Sequence, residues 1–319
     1  MRGLQTLAVT GILAGLGLAG CASTPDMPEH QPEPAMQCGQ AEIKLELNED
    51  GDWLQLTHLD QVTELERVVS ASGARYESIR NDDTWFWSKG DTATLTLEGM
   101  SYPTCVASGA VPKPFTATGN EPFWKVTLES GQLTLERPNQ PTATMDYQTV
   151  ARLTSGRTYR AKAPGLSVEV ITASQMCRDS MSGMLHPYQV RVSINGKTMS
   201  GCGGNPSRLL MGDAWVVEDI GGRGIIDRSQ ATVQFLPEGR VIGTSSCNRY
   251  TGRWNLNGEA IGVSGLAVTR RACPPALMNQ EDRLLKLLES VSRFDINPQG
   301  ALLLISDTGE KIRAFQATP

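Results

Sequence analysis

The sequence has little of what most enzymes and nucleic-acid binders require. It holds three histidines in 319 residues. His30, His58 and His186 are far apart in the chain, which argues against a histidine-rich metal site. Lysine and arginine total 29 against 34 acidic residues, a formal net charge of −5. A nucleic-acid partner calls for a basic stripe, so none is expected. No CxxC spacing is present to mark a thiol redox pair. No GxSxG elbow marks a hydrolase serine. At 39% hydrophobic and 20% charged, the chain is too polar for a multi-span membrane protein and too apolar for wholesale disorder.

What is present begins with seven cysteines. An odd count in an exported protein leaves one thiol with another role. The chain opens MRGLQTLAVTGILAGLGLAGC, with Arg2 as the single charge before an apolar run rich in Leu, Ala and Gly. That is the layout of a signal peptide. Its end, Leu18-Ala19-Gly20-Cys21, resembles the bacterial lipobox. The resemblance implies cleavage before Cys21, acylation of its sulfur and anchorage in a lipid bilayer. Ala22 in place of Asp implies sorting to the outer membrane. Residues 22–37 carry four prolines and no aromatic, a tether able to reach about 50 Å if extended. Residues 1–20 are thus read as signal peptide and 21–37 as anchor and tether.

The other six cysteines fall two to a segment, and the oxidising envelope favours their pairing. Cys38 to Cys105 alternates apolar and polar residues in Ala41–Leu47 and again in Ala93–Leu97, the pattern of half-buried strands. A small sheet of this length buries a marginal core, so a Cys38–Cys105 bridge across its ends is expected. Ser70-Ala71-Ser72-Gly73-Ala74-Arg75-Tyr76 followed by Phe86-Trp87-Ser88-Lys89-Gly90-Asp91, inside that cysteine frame, resembles the MliC family. These are membrane-bound inhibitors of C-type lysozyme built as small antiparallel β-barrels. The resemblance implies that Lys89 meets an ionised carboxylate and Ser72 a protonated one in the lysozyme cleft, with Gly73 and Tyr76 shaping the serine loop. Glu77–Asp83, carrying Asp82 and Asp83, is longer than the family pattern. Such a tip would either clash with the enzyme or steer it.

Residues 115–209 also alternate with period two, in Lys125–Glu129, Gln132–Glu136, Leu166–Val170 and Gln189–Ile194. Asn195-Gly196 signals a hairpin, and Cys177 is expected to pair with Cys202. Val111–Pro114 reads as a linker. The GNEPFW and CRDSMSG…GC patterns resemble an uncharacterised envelope lipoprotein domain. Asp179, Ser180, Ser182 and His186 read as a polar loop braced by a disulfide rather than as a catalytic set.

Residues 210–319 hold one good helix, Pro275 to Ser292, with Leu277, Leu284, Leu288 and Val291 as its apolar stripe. Cys247-Asn248-Arg249-Tyr250-Thr251-Gly252-Arg253-Trp254, then Leu266–Thr269 and Cys273, resemble the META (HslJ-like) family. That family is associated with envelope stress and has no defined activity. Gly243, Asn248, Gly252 and Thr269 are read as shaping the fold, and Cys247 is expected to pair with Cys273.

The expected fold is mainly β, in three small modules: an antiparallel β-barrel at 38–108, a β-rich domain at 115–209 and a META-like α+β domain with one helix at 210–319. The expected function is lysozyme inhibition, with no catalysis, cofactor, metal or nucleic acid. The alternative is an envelope-stress or surface scaffold lipoprotein whose inhibitor-like domain lacks the activity.

Overall fold

The structure is a computed structural model, and it describes residues 35–258 and 260–316. Cys21, the lipobox and most of the expected tether lie outside the described residues. The first strand already starts at Ala35, so Ala35, Met36 and Gln37, assigned above to the tether, belong to the sheet.

Nine strands form the first sheet: β1 Ala35–Cys38, β2 Ala41–Leu47, β3 Trp53–His58, β4 Gln61–Val68, β5 Ala74–Ser78, β6 Trp85–Lys89, β7 Thr92–Leu97, β8 Met100–Ser101 and β9 Cys105–Ala107. Their order is β6-β5-β4-β3-β2-β1-β9-β7-β8, and β6 also pairs with β7, which closes the sheet into a barrel. Alternation sends Ile43, Leu54, Leu56, Leu65, Phe86 and Leu95 inward, all buried. Cys38 and Cys105 sit opposite each other on β1 and β9 and are bonded. In the chain-entropy model a loop of this size contributes about 4 kcal/mol.

The second sheet is a closed eight-stranded barrel. Its strands are β10 Phe115–Asn120, β11 Phe123–Glu129, β12 Gln132–Glu136, β13 Ala143–Leu153, β14 Gly156–Ala163, β15 Leu166–Ala173, β18 Tyr188–Ile194 and β19 Lys197–Gly203. Between β15 and β18, β16 Cys177–Arg178 and β17 Leu185–His186 pair as a separate ribbon. Cys177 is bonded to Cys202 on β19, which holds the ribbon to the barrel wall. The supposed linker is not loose. Ala110 and Val111 are each 2% exposed, and Val111 packs into the second core.

The third sheet runs β24-β23-β22-β21-β20-β27-β26-β25. Its strands are β20 Trp215–Ile220, β21 Thr232–Leu236, β22 Arg240–Thr244, β23 Arg249–Asn257, β24 Ala260–Val268, β25 Val291–Ile296, β26 Leu302–Ser306 and β27 Lys311–Gln316. One α-helix, α1 Pro275–Glu289, packs on it through Leu284, Leu287 and Leu288. The helix is shorter than expected. Val291, read as part of its stripe, starts β25 instead, because Ser290 caps the helix by donating its backbone N–H to Leu287 and Leu288 carbonyls. Cys247 and Cys273 are bonded.

Specific contacts join the three sheets. Arg208, 7% exposed, donates to the carbonyls of Thr104 (2.7 Å) and Gln37 (3.1 Å) in the first barrel. His58 meets Asp213 at 2.8 Å. Arg152 meets Asp91 at 2.8 Å, and Arg178 meets Asp295 at 2.6 Å. Met184 and Leu185 of the middle module's ribbon are part of the third core.

Candidate functional site

The two motifs of the first barrel meet at one of its ends. β5 and β6 run antiparallel, with Ala74 opposite Ser88, Arg75 opposite Trp87 and Tyr76 opposite Phe86. The loop before β5 and the turn after β6 therefore lie side by side. Ser72 is in that loop and Lys89 is the last residue of β6; both are exposed. Among the described residues, neither the Ser72 hydroxyl nor the Lys89 ammonium has a partner within the chain.

Local chemistry fixes the serine loop. The Trp87 indole N–H donates to the Ser72 carbonyl at 2.8 Å. The Ser70 hydroxyl reaches the Gly73 carbonyl at 3.2 Å. Gly73 has φ +69°, and a Cβ there would lie 2.1 Å from the Ser88 carbonyl oxygen. Only glycine permits both that dihedral and that approach. On the facing turn, the Thr92 hydroxyl donates to the Lys89 carbonyl at 3.1 Å.

Tyr76 does not belong with the exposed residues. It is 4% exposed, and its phenol donates to the Gly51 carbonyl at 3.2 Å. It packs in the first core, since alternation along β5 turns it inward. The acidic tip also needs correction. It joins the far ends of β5 and β6, about 17 Å from Ser72 along a five-residue strand. At that position Asp82 and Asp83 neither clash with an occupant of the Ser72–Lys89 end nor steer it by contact.

Trp87 and Asp91 were not singled out as site residues from the sequence. Asp91, two residues after Lys89, accepts from the Arg152 guanidinium at 2.8 and 3.1 Å through both carboxylate oxygens. The β13–β14 hairpin of the second barrel thus flanks the lysine turn, with Leu153 exposed at its tip. Lys113 sits over the rings of Tyr159 (4.4 Å) and Tyr147 (5.0 Å). Its desolvation draws the ammonium pKa down to about 8, and Asp91 opposes that shift. The opposite end of the barrel is occupied. There Asp213 of the third module accepts from Tyr102 at 3.3 Å, on the same oxygen that meets His58. Burial and this carboxylate hold the Tyr102 phenol well above its ordinary pKa.

The polar loop of the second module is self-satisfied. Asp179 accepts from the Ser182 amide and hydroxyl, each at 2.8 Å, and from the Asn120 amide at 2.9 Å. Desolvation pushes its pKa up, but these hydrogen bonds outweigh it and hold the carboxyl at about 2. The His186 ring meets the Gly204 carbonyl at 3.0 Å rather than either serine. In the third module Asn248 is 5% exposed and fully engaged. Its amide donates to Glu281 at 3.1 Å, and its oxygen accepts from the Arg271 amide at 2.8 Å and the Thr269 hydroxyl at 2.9 Å. Ser245 donates to the same carboxylate of Glu281. No lone pair or proton of this asparagine is left for a ligand.

Comparison with known proteins follows these boundaries. A family model described as "Membrane-bound lysozyme-inhibitor of c-type lysozyme" matches residues 37–103. A model described as "META domain" matches residues 208–319. No curated protein matches the chain. Two NMR structures of small proteins, one from Burkholderia xenovorans, are each 22% identical to it. They cover 35% and 36% of this chain and 95% and 90% of their own, each with a TM-score of 0.30. A crystal structure of BBS1N in complex with ARL6DN is 12% identical over 87% of this chain and 88% of that one, with a TM-score of 0.15. Similarity at these TM-scores carries no argument about fold. Residues 37–103 are therefore similar to the MliC family and residues 208–319 to the META family, in two separate stretches of the chain.

Proposed function

We propose that this protein is an envelope lipoprotein that inhibits C-type lysozyme through the Ser72–Lys89 end of its first barrel. The observation that carries the reading is that an exposed hydroxyl and an exposed ammonium, both without partners among the described residues, stand side by side at that end. A retaining lysozyme works with one ionised and one protonated carboxyl group in its cleft. A cation and a hydroxyl are the complementary pair. Lys89 forms a charge-assisted bond to the carboxylate, and Ser72 hydrogen-bonds the acid. Similarity to an inhibitor family implies a binding role rather than catalysis. Cys21 supplies the acylated mature N-terminus, and Ala22 directs it to the outer membrane.

The test is a titration of C-type lysozyme on cell-wall substrate with the disulfide-intact protein. Inhibition is expected at near-stoichiometric ratios. Lys89→Ala removes one partner of a buried ion pair, worth about 3 kcal/mol or roughly a hundredfold in Ki. Ser72→Ala costs about 1 kcal/mol, or roughly fivefold. No inhibition by the intact protein refutes the function. Inhibition indifferent to both substitutions refutes the site.

A further inference from the structure

The META sheet carries an arrangement that the proposed function leaves unused. Arg240 on β22 and Arg253 on β23 are directly opposite residues. Both are exposed and on the outward face, since Val241 and Trp254 beside them are buried. Cross-strand neighbours hold their Cβ atoms about 5 Å apart, and like charges there oppose folding. Neither guanidinium has an ion-pair or hydrogen-bond partner among the described residues. The two arginines line a cleft of about 460 Å³, walled by Leu236, Pro237, Thr251 and Gly265 of this sheet and by Ser101 of the first barrel. Glu238 also lines it and pairs with neither arginine. The face continues along β23 through Thr251 to Arg249, and Arg270 and Arg271 follow β24; all three arginines are exposed.

The module's composition points the same way. Residues 208–319 hold thirteen basic and twelve acidic side chains, and eleven of the thirteen are arginine. The rest of the chain holds sixteen basic and twenty-two acidic. Arginine is the side chain suited to bidentate capture of oxyanions.

We infer that the Arg240–Arg253 cleft is a binding site for a phosphate-bearing small anion. Two guanidinium forks about 5 Å apart at their roots can grip one tetrahedral group from two sides, whereas a carboxylate offers only two oxygens to a single fork. The cleft volume leaves room for an organic moiety beyond the phosphate. No large apolar side chain is exposed on this face, so the occupant lies against the surface rather than the surface inserting into a bilayer. Glu238 keeps the site selective by repelling anions that do not engage both arginines.

The probes are inorganic pyrophosphate, measured by calorimetry on the disulfide-intact chain, and phosphatidate vesicles, measured by flotation beside phosphatidylcholine controls. Saturable pyrophosphate binding is expected. Arg240→Gln and Arg253→Gln each weaken it about tenfold or more, and Glu238→Gln tightens it. Pyrophosphate binding without flotation assigns a soluble phosphate compound. Flotation on phosphatidate that pyrophosphate reverses assigns a lipid headgroup. Because the arginines repel each other, either substitution should leave the anion-free thermal midpoint unchanged or higher. A lower midpoint means they are structural and overturns the proposal. So does absence of saturable binding, binding that both substitutions leave intact, or capture only of a long polyanion such as heparin or DNA.

Discussion

Gly73→Ala and Gly90→Ala form a matched test of the serine loop. Both glycines have positive φ, +69° and +62°, and both flank the proposed lysozyme-facing end. An alanine at either pays about 1 kcal/mol for the left-handed backbone. Only at Gly73 does the new Cβ strike something, the Ser88 carbonyl oxygen at 2.1 Å; at Gly90 nothing lies within 4 Å. An ordinary carbon–oxygen contact is more than 1 Å longer, so the loop must lift from β6. Lifting it stretches the Trp87 hydrogen bond to Ser72, worth about another 1 kcal/mol. Gly73→Ala should therefore destabilise the β5–β6 ladder by about 2–3 kcal/mol and Gly90→Ala by about 1. Amide hydrogen exchange in β5 and β6 is the suitable readout, because three packed modules need not unfold in one step. Lysozyme inhibition should fall at least tenfold for the first variant and less for the second. Equal effects on exchange would refute the close approach, and a Gly73→Ala protein with full inhibition would refute the need for a fixed serine loop.

Trp87→Phe keeps an aromatic ring and deletes the donor to Ser72, so the β5–β6 ladder should lose about 1 kcal/mol by amide exchange and inhibition should weaken about fivefold. Asp179 has a folded-state pKa of about 2, below its ordinary 3.8. Its contribution is complete above pH 4 and is lost as pH falls through 2. On the order of 1 kcal/mol is expected, allowing for solvent screening of a partly exposed carboxyl. Amide protection at Met181 and Ser182, taken relative to the intrinsic exchange rate at each pH, should fall across that window in the native protein and stay flat in Asp179→Asn. Arg208→Met removes the buried guanidinium that donates to the part-buried carbonyls of Thr104 and Gln37. It should destabilise the junction by about 2–4 kcal/mol, read as increased protease cleavage near residues 204–212.

Much of this was legible because alternation and turn chemistry are local signals. Ala41–Leu47 shows as a strand in the sequence because apolar residues fall at every second position and one face is buried. β4 and β13 did not show. Gln61–Val68 turns only Leu65 fully inward, and Ala143–Leu153 buries only Met145. Their partners in a closed barrel hold them, and that pairing has no local signature. The same applies to the site. Gly73 and Lys89 stand in recognisable motifs, but the indole that pins the loop is opposite Arg75 in register, a relation that appears only once β5 and β6 are paired. Whole-chain charge was misleading in its own way. An overall −5 averages an acidic remainder with an arginine-rich third module, so the row on β22 and β23 vanished from the sum.

The two ends of the first barrel now divide the labour between its neighbours. His58 and Tyr102 commit one end to Asp213 of the META module, so that end is closed to a large partner. The other end carries Ser72 and Lys89, and three features converge there. β1 enters beside it, with Met36 opposite Ala107 and the Ala107 amide donating to the Asp91 backbone carbonyl. Arg152 pairs with Asp91, so the aspartate two residues from Lys89 is engaged by the second barrel. The exposed Leu153 at the hairpin tip places apolar surface beside that turn. Under the proposed function, the middle barrel is therefore part of the inhibitory surface: it engages the aspartate of the lysine turn and limits the directions from which the enzyme can approach. An MliC barrel cut free of it should bind lysozyme with a weaker Lys89 contribution, because Asp91 would then be unpaired.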